Sequence, residues 1–163
     1  MNTVKKAKAP TLHTIDSLEY LASRLLVGGD GDFNYFDRAP PSPHTIKPGD
    51  VAMFVATMSK PFQWALFFAK YLANENARTH FQLWIMGQLK KSGIPDEHWC
   101  YLSDMATKAY CDGSTISGRR IAKRLKAGRN NTVPRYVEIL DRILYTASVS
   151  EEELGRKVWK MSQ

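Results

Sequence analysis

Cationic side chains are concentrated in one stretch, residues 112–135, which we call the basic segment. It carries a formal charge of +6 with Asp112 as its only acid, while the whole 163-residue chain carries a net +7. Guanidinium and ammonium groups attract phosphate oxygens, so charge concentrated in this way favours a polyanionic partner. The cations of the segment are Arg119, Arg120, Lys123, Arg124, Lys126, Arg129 and Arg135.

Residues that could bind a metal ion or catalyse a reaction do not form a working pattern. Residues 30–34 begin like a calcium-binding loop but lack the glycine and the terminal glutamate that such a loop requires. His98, Cys100 and Cys111 could ligate zinc, yet no C-x-x-C pair accompanies them. Two reduced, partly buried thiols and a histidine on a helix surface are the favoured interpretation. The sequence therefore predicts a protein without metal, cofactor, small-molecule substrate or enzymatic activity.

Apolar residues at helical spacing predict an all-α protein around the basic segment. Length and ordinary composition favour a single helical domain at residues 14–163, after a flexible basic tail at residues 1–13. Residues 28–49, rich in proline and aromatic side chains, are predicted to form a packed loop. Ser150 and Glu153 form a capping box, which predicts a short separate final helix. The other predicted helices begin near Thr14 and at Pro61, span 51–58, 77–92, 95–111 and 118–127, and follow Pro134. Gly93 is predicted to end the helix at 77–92, and Gly113 the helix at 95–111.

The helix predicted at residues 118–127 has two different faces. Ser117 is a suitable N-cap, Ile116 can pack on Ile121 as a hydrophobic staple, and Gly128 can end the helix. At 100° per residue the small and apolar residues fall on one side and the cations on the other. The apolar side holds Gly118, Ile121, Ala122 and Leu125, and the cationic side holds Arg119, Arg120, Lys123, Arg124 and Lys126.

The helix at 95–111, the turn through Gly113 and the helix at 118–127 together predict a helix-turn-helix at about residues 95–128. The second helix of such a motif enters the major groove of duplex DNA, where arginine can bind guanine or phosphate. A basic but merely solvated helix surface is the simpler interpretation. The candidate DNA-binding residues are Ser114, Thr115, Ser117, Arg119, Arg120, Lys123, Arg124, Lys126 and Arg129.

Three runs of sequence resemble the late-gene antitermination proteins Q of lambda-like phages. They are LSDMATKAYC at residues 102–111, SGRRIAKRL at 117–125 and YVEILDRIL at 136–144. The resemblance covers about residues 50–153. It implies a helical protein that binds DNA beside a late promoter through a helix-turn-helix. It also implies that the protein joins RNA polymerase and its sigma factor, so that pauses and terminators are ignored.

The resemblance assigns the DNA-reading helix to Ser117, Arg119, Arg120, Lys123 and Arg124. One departure is large. The best-known members of that family carry a four-cysteine zinc loop near this turn, whereas no cysteine follows Cys111 here. The motif is then expected to be compact and free of zinc.

Two alternatives remain open from the residues themselves. Residues 114–117 and 128–130 are similar to parts of repressor-type helix-turn-helix domains. A protein-interaction module, such as a phage inhibitor of a host factor, could place the same basic helix on an acidic protein surface. In each case the sequence shows neither a signal peptide nor a membrane span, so we expect a protein of the bacterial host cytoplasm without a membrane partner.

Overall fold

The computed structural model describes residues 17–22 and 61–161, and these residues are helical apart from short turns. A helical segment at residues 17–22 precedes five further described helices. They are α1 (Pro61–Tyr71), α2 (Glu75–Lys91), α3 (Asp96–Asp112), α4 (Gly118–Leu125) and α5 (Thr132–Met161). The described residues contain no strand, which confirms the all-α prediction for this part of the chain. The predicted tail at 1–13, the loop at 28–49 and the helix at 51–58 lie outside the described residues.

Local capping signals set the start of α2 and the ends of α2 and α3, of which the two ends were predicted. Asn74 caps α2, because its Oδ1 accepts the N–H of Ala77 at 2.9 Å. Gly93 follows α2 with a φ of +76°, and Gly113 follows α3 with a φ of +74°. Glycine adopts this left-handed conformation at little cost, so the predicted stops at these two residues are confirmed.

α5 is one continuous helix, and the prediction of a separate final helix opened by Ser150 and Glu153 is wrong. A capping serine would have to leave the helical conformation, but Ser150 is buried within the helix. The buried stripe of α5 continues in phase from Ala147 to Leu154 and Val158. Tertiary packing along this single stripe therefore overrides the local capping signal. Among the described residues, no helix is both long and apolar enough to cross a bilayer.

Two clusters of buried side chains hold the described helices together. The larger cluster joins all five helices, and α5 enters it with its N-terminal half. The smaller cluster joins residues 17–22 to α1 and to the C-terminal half of α5. α5 therefore connects the two clusters. Fully buried members of the larger cluster include Phe81, Ile85, Leu102, Ile121 and Leu140, and those of the smaller include Leu18, Leu21 and Phe67.

A buried carboxylate, Glu151, connects α5 to α1 and α3, and we call it and its three partners the Glu151 cluster. Lys70 Nζ lies 2.5 Å from Glu151 Oε1, and the Tyr71 hydroxyl donates to the same oxygen at 2.7 Å. The Tyr110 hydroxyl donates to Oε2 at 2.7 Å. Burial and then the charge of Glu151 raise the pKa of both tyrosines well above the ordinary value, so both remain donors. The cluster thus compensates a fully buried negative charge.

Candidate nucleic-acid interface

α4 is held on α5 by close packing. Ile121 is fully buried and Ala122 is nearly so. Gly118 brings the two helices together, because a Cβ at this position would lie 3.2 Å from Cγ1 of Val133. Ser117 Oγ accepts the N–H of Arg120 at 3.3 Å, which confirms the predicted N-cap. The apolar side predicted from the sequence is therefore the side that packs on the body of the protein.

α4 ends earlier than predicted. The helix stops at Leu125, and Lys126 takes the left-handed conformation with a φ of +51°. The prediction that the helix reaches residue 127 and ends at Gly128 is thus wrong by two residues. Gly128 instead lies in the connection to α5, where its carbonyl accepts the N–H of Val133 at 3.0 Å. The shorter helix leaves Lys126, which was predicted on its cationic side, at the C-cap, while Arg129 lies on the connection to α5.

The predicted DNA-binding side chains form an exposed surface on α4 and its flanking connections. Ser114, Thr115 and all the cations from residue 119 to residue 129 are exposed, and Ser117 is half-buried. No acid occurs between Asp112 and Glu138. In the part of the chain that the structure describes, no ion pair or side-chain hydrogen bond holds the following cations: Arg119, Arg120, Lys123, Lys126 and Arg129. We call these five residues the free cations.

Arg124 differs from the free cations because its guanidinium leans towards α3. Its Cζ lies 6.0 Å from the centroid of the Tyr101 ring, within the range of a cation–π contact. Glu97 and Asp104 line the same cleft. Arg124 therefore connects α4 to α3, and the sequence contained no signal for this contact because the ring lies 23 residues earlier in the chain.

The single acid of the basic segment is neutralised by an arginine from α2. Arg78 donates to both carboxylate oxygens of Asp112, at 2.9 Å and 2.7 Å. This hydrogen bonding lowers the pKa of the Asp112 carboxyl, so the group stays ionised and paired. The pair also fixes the end of α3 beside Gly113, where the connection to α4 starts. Sequence reasoning missed it because the two residues are distant in the chain.

The candidate zinc ligands have other surroundings. His98 was expected on a helix surface, but it is half-buried and its Nδ1 lies 2.7 Å from the Tyr136 hydroxyl. Cys100 is exposed and not partly buried as predicted, whereas Cys111 is half-buried and burial raises its pKa to about 11. Within residues 17–22 and 61–161, no three His, Cys, Asp or Glu side chains form a group that could hold a metal ion.

Comparison with models of known protein families, with curated proteins and with solved structures finds no match to this chain. The resemblance to the phage antitermination proteins therefore stays a prediction.

α4 packs mainly on α5 and reaches α3 through Arg124, across a five-residue connection at 113–117. This connection is longer than the three or four residues of a tight helix-turn-helix.

Proposed function

We propose that this protein binds duplex DNA through α4 and regulates transcription in the cytoplasm of a bacterial host. The free cations carry the proposal, because they are exposed on α4 and on the connection that follows it. The opposite side of α4 is fixed by Ile121 and Gly118. A basic side chain that is paired with an acid has its charge compensated within the fold. A cation without an acid partner can instead bind a phosphate group, and several such cations on one surface attract a polyanion.

α3, residues 113–117 and α4 act in this proposal as the helix-turn-helix. Arg119 and Arg120 lie in the first turn of α4, close in sequence to the hydroxyl groups at 114, 115 and 117. The N-terminal residues of a recognition helix approach base edges, where an arginine can bind guanine O6 and N7. Lys123, Lys126 and Arg129 follow towards the other end and are assigned to phosphate contacts.

A titration of the protein with labelled duplex DNA tests this assignment. We expect affinity that falls steeply with salt, and a double variant R119A/R120A that binds at least ten-fold more weakly. Its matched control is R156A/K157A, which removes the same charge from exposed positions near the end of α5. Each lost phosphate contact should also reduce the slope of log affinity against log salt by about one. Equal binding by both double variants would show that α4 is only a solvated surface.

Antitermination is the mode of regulation that we propose, with RNA polymerase and its sigma factor as partners. The support for it is the resemblance over residues 102–144. Transcription in vitro from a promoter that carries the selected DNA site, with a terminator downstream, tests it. We expect more read-through at unchanged initiation, and loss of the effect in R119A/R120A. Reduced initiation with constant read-through would identify a repressor instead.

A further inference from the structure

A groove of about 440 Å³ lies between α2 and α5, away from the surface proposed for DNA. Its apolar floor contains the half-buried Trp84 and the buried Ile139 and Ile143. Gln88, Ser92 and Thr146 add polar groups to its walls, which also carry two cations, Arg135 and Arg142, and one acid, Glu138. An apolar floor with a few placed polar groups is the usual composition of a binding groove.

The rim of the groove has a net positive charge, because two arginines stand against one glutamate in its lining. Arg135 is exposed, and its Nη2 donates to the Ser92 carbonyl at 3.2 Å. A guanidinium has five N–H donors, so this single bond holds Arg135 in place and leaves other donors available. Arg142 pairs with Glu138 at 2.7 Å, but both side chains are largely exposed and such a pair holds weakly. The exposed Lys90 and Lys91 precede Ser92 at the end of α2.

The groove and α4 lie on opposite sides of α5. Gly118 of α4 faces Val133 and Val137 of α5. At 100° per residue, Arg135 and Arg142 lie about half a turn around the helix from these valines. A molecule in the groove therefore leaves the exposed side of α4 accessible.

We infer that this groove binds an acidic peptide segment of a partner protein. An aliphatic or aromatic side chain of the peptide packs on Trp84 and Ile143, and its carboxylates bind Arg135 and Arg142. The charge of the rim selects carboxylates, while the apolar floor favours a peptide over a nucleic-acid backbone. The inference goes beyond DNA binding and does not depend on it, because α4 contributes no residue to the groove.

Selection from a random 12-residue peptide library tests the inference, with the full-length protein as bait. We expect enriched peptides that combine Asp or Glu with Leu, Phe or Trp. A synthetic copy of the strongest peptide should bind at least ten-fold more weakly to R135E/R142E than to the parent. The milder R135Q should weaken binding by a smaller factor. R156E/K157E is the matched control and should bind like the parent. Unchanged melting temperatures of the variants show that they are folded.

Several outcomes would overturn the inference. These are no enrichment above the starting library, enrichment of neutral or basic peptides, and binding that R135E/R142E does not change. An oligonucleotide whose affinity falls in R135E/R142E but not in R119A/R120A would assign the groove to nucleic acid. A concentration-dependent dimer that R135E/R142E abolishes would assign it to a second copy of the chain. Failure of R119A/R120A to affect DNA binding would count only against the DNA proposal.

Discussion

The free cations and the Glu151 cluster differ in the burial of their charges and in the partners that compensate them. Glu151 is fully buried, and one ammonium group and two tyrosine hydroxyls compensate it within about 3 Å. The free cations are exposed and have no such partners within the described part of the chain. An uncompensated buried charge would cost several kcal/mol, which is a large part of the free energy of unfolding of a typical domain. An exposed charge costs little. Charge that is compensated inside the fold maintains the structure, and charge left exposed is available to a partner.

The largest effect is expected from Glu151→Ala. Lys70 and the two tyrosine hydroxyls would then be left without their acceptor, and we expect the free energy of unfolding to fall by about 3–5 kcal/mol. Urea denaturation measures this loss. Glu153→Ala, at an exposed position two residues further on, is the control and should change stability by less than about 0.5 kcal/mol. DNA affinity of folded E151A should equal that of the parent. A loss in the free energy of unfolding below about 1 kcal/mol would show that the cluster contributes little to stability.

Ile121→Ala tests whether the free cations depend on the buried side of their helix. Ile121 is fully buried against the core, so we expect a loss of about 2–5 kcal/mol in stability. DNA affinity should also fall although no cation is removed, because α4 loses its position on α5. Ile121→Val, with an expected loss of about 0.5–1.5 kcal/mol, keeps the test possible if the alanine variant does not fold. If DNA affinity stays constant in both variants, DNA binding by the free cations does not depend on the packing of α4.

Alkaline pH should weaken the stabilisation that the Glu151 cluster provides. Burial and the Glu151 charge raise the pKa of Tyr110, so in the folded protein it keeps its proton above pH 10, where the unfolded chain loses it. Its stabilisation is complete below pH 10 and is lost as the pH rises further, by about 1.4 kcal/mol per pH unit. Denaturation of the parent and of Tyr110→Phe between pH 9 and 11.5 measures the difference. An equally steep decline in both proteins would exclude this tyrosine as the cause.

Tyr101→Leu is expected to have the smallest effect. It tests whether Arg124 belongs with the charges that interact within the fold or with the free cations. Arg124 is exposed like the free cations but touches the Tyr101 ring. We expect the substitution to lower stability by about 0.5–1 kcal/mol, while Tyr101→Phe keeps the ring and the stability. A double-mutant cycle with Arg124→Ala measures the coupling between the two side chains. Zero coupling would place Arg124 among the free cations.

The ends of α2, α3 and α4 illustrate what short-range sequence signals can predict. Gly93 and Gly113 were predicted to end helices and do so in the left-handed conformation. Ser117 was predicted to cap α4 and does so. These signals act between residues that are one to four positions apart, so they are visible without knowledge of the fold. The end of α4 at Leu125 was missed because a lysine, not the nearby glycine, adopts the left-handed conformation.

Contacts between distant residues were beyond sequence reasoning. The Glu151 partners lie 41, 80 and 81 positions away in the chain, and Arg78 lies 34 positions from Asp112. The same distance effect explains the continuity of α5, since Ser150 and Glu153 form a valid local capping pattern and only packing on other helices overrides it.

The sequence by itself determined the helical class of the described residues, the two-sided character of α4 and the concentration of positive charge on it. These properties follow from residue type and the 3.6-residue period. Only the tertiary structure decided which charges are compensated: it paired Asp112 with Arg78, buried Glu151 among its donors and left the free cations exposed. The physical reason is that an electrostatic interaction depends on distance and burial in the folded chain, which order along the sequence does not specify.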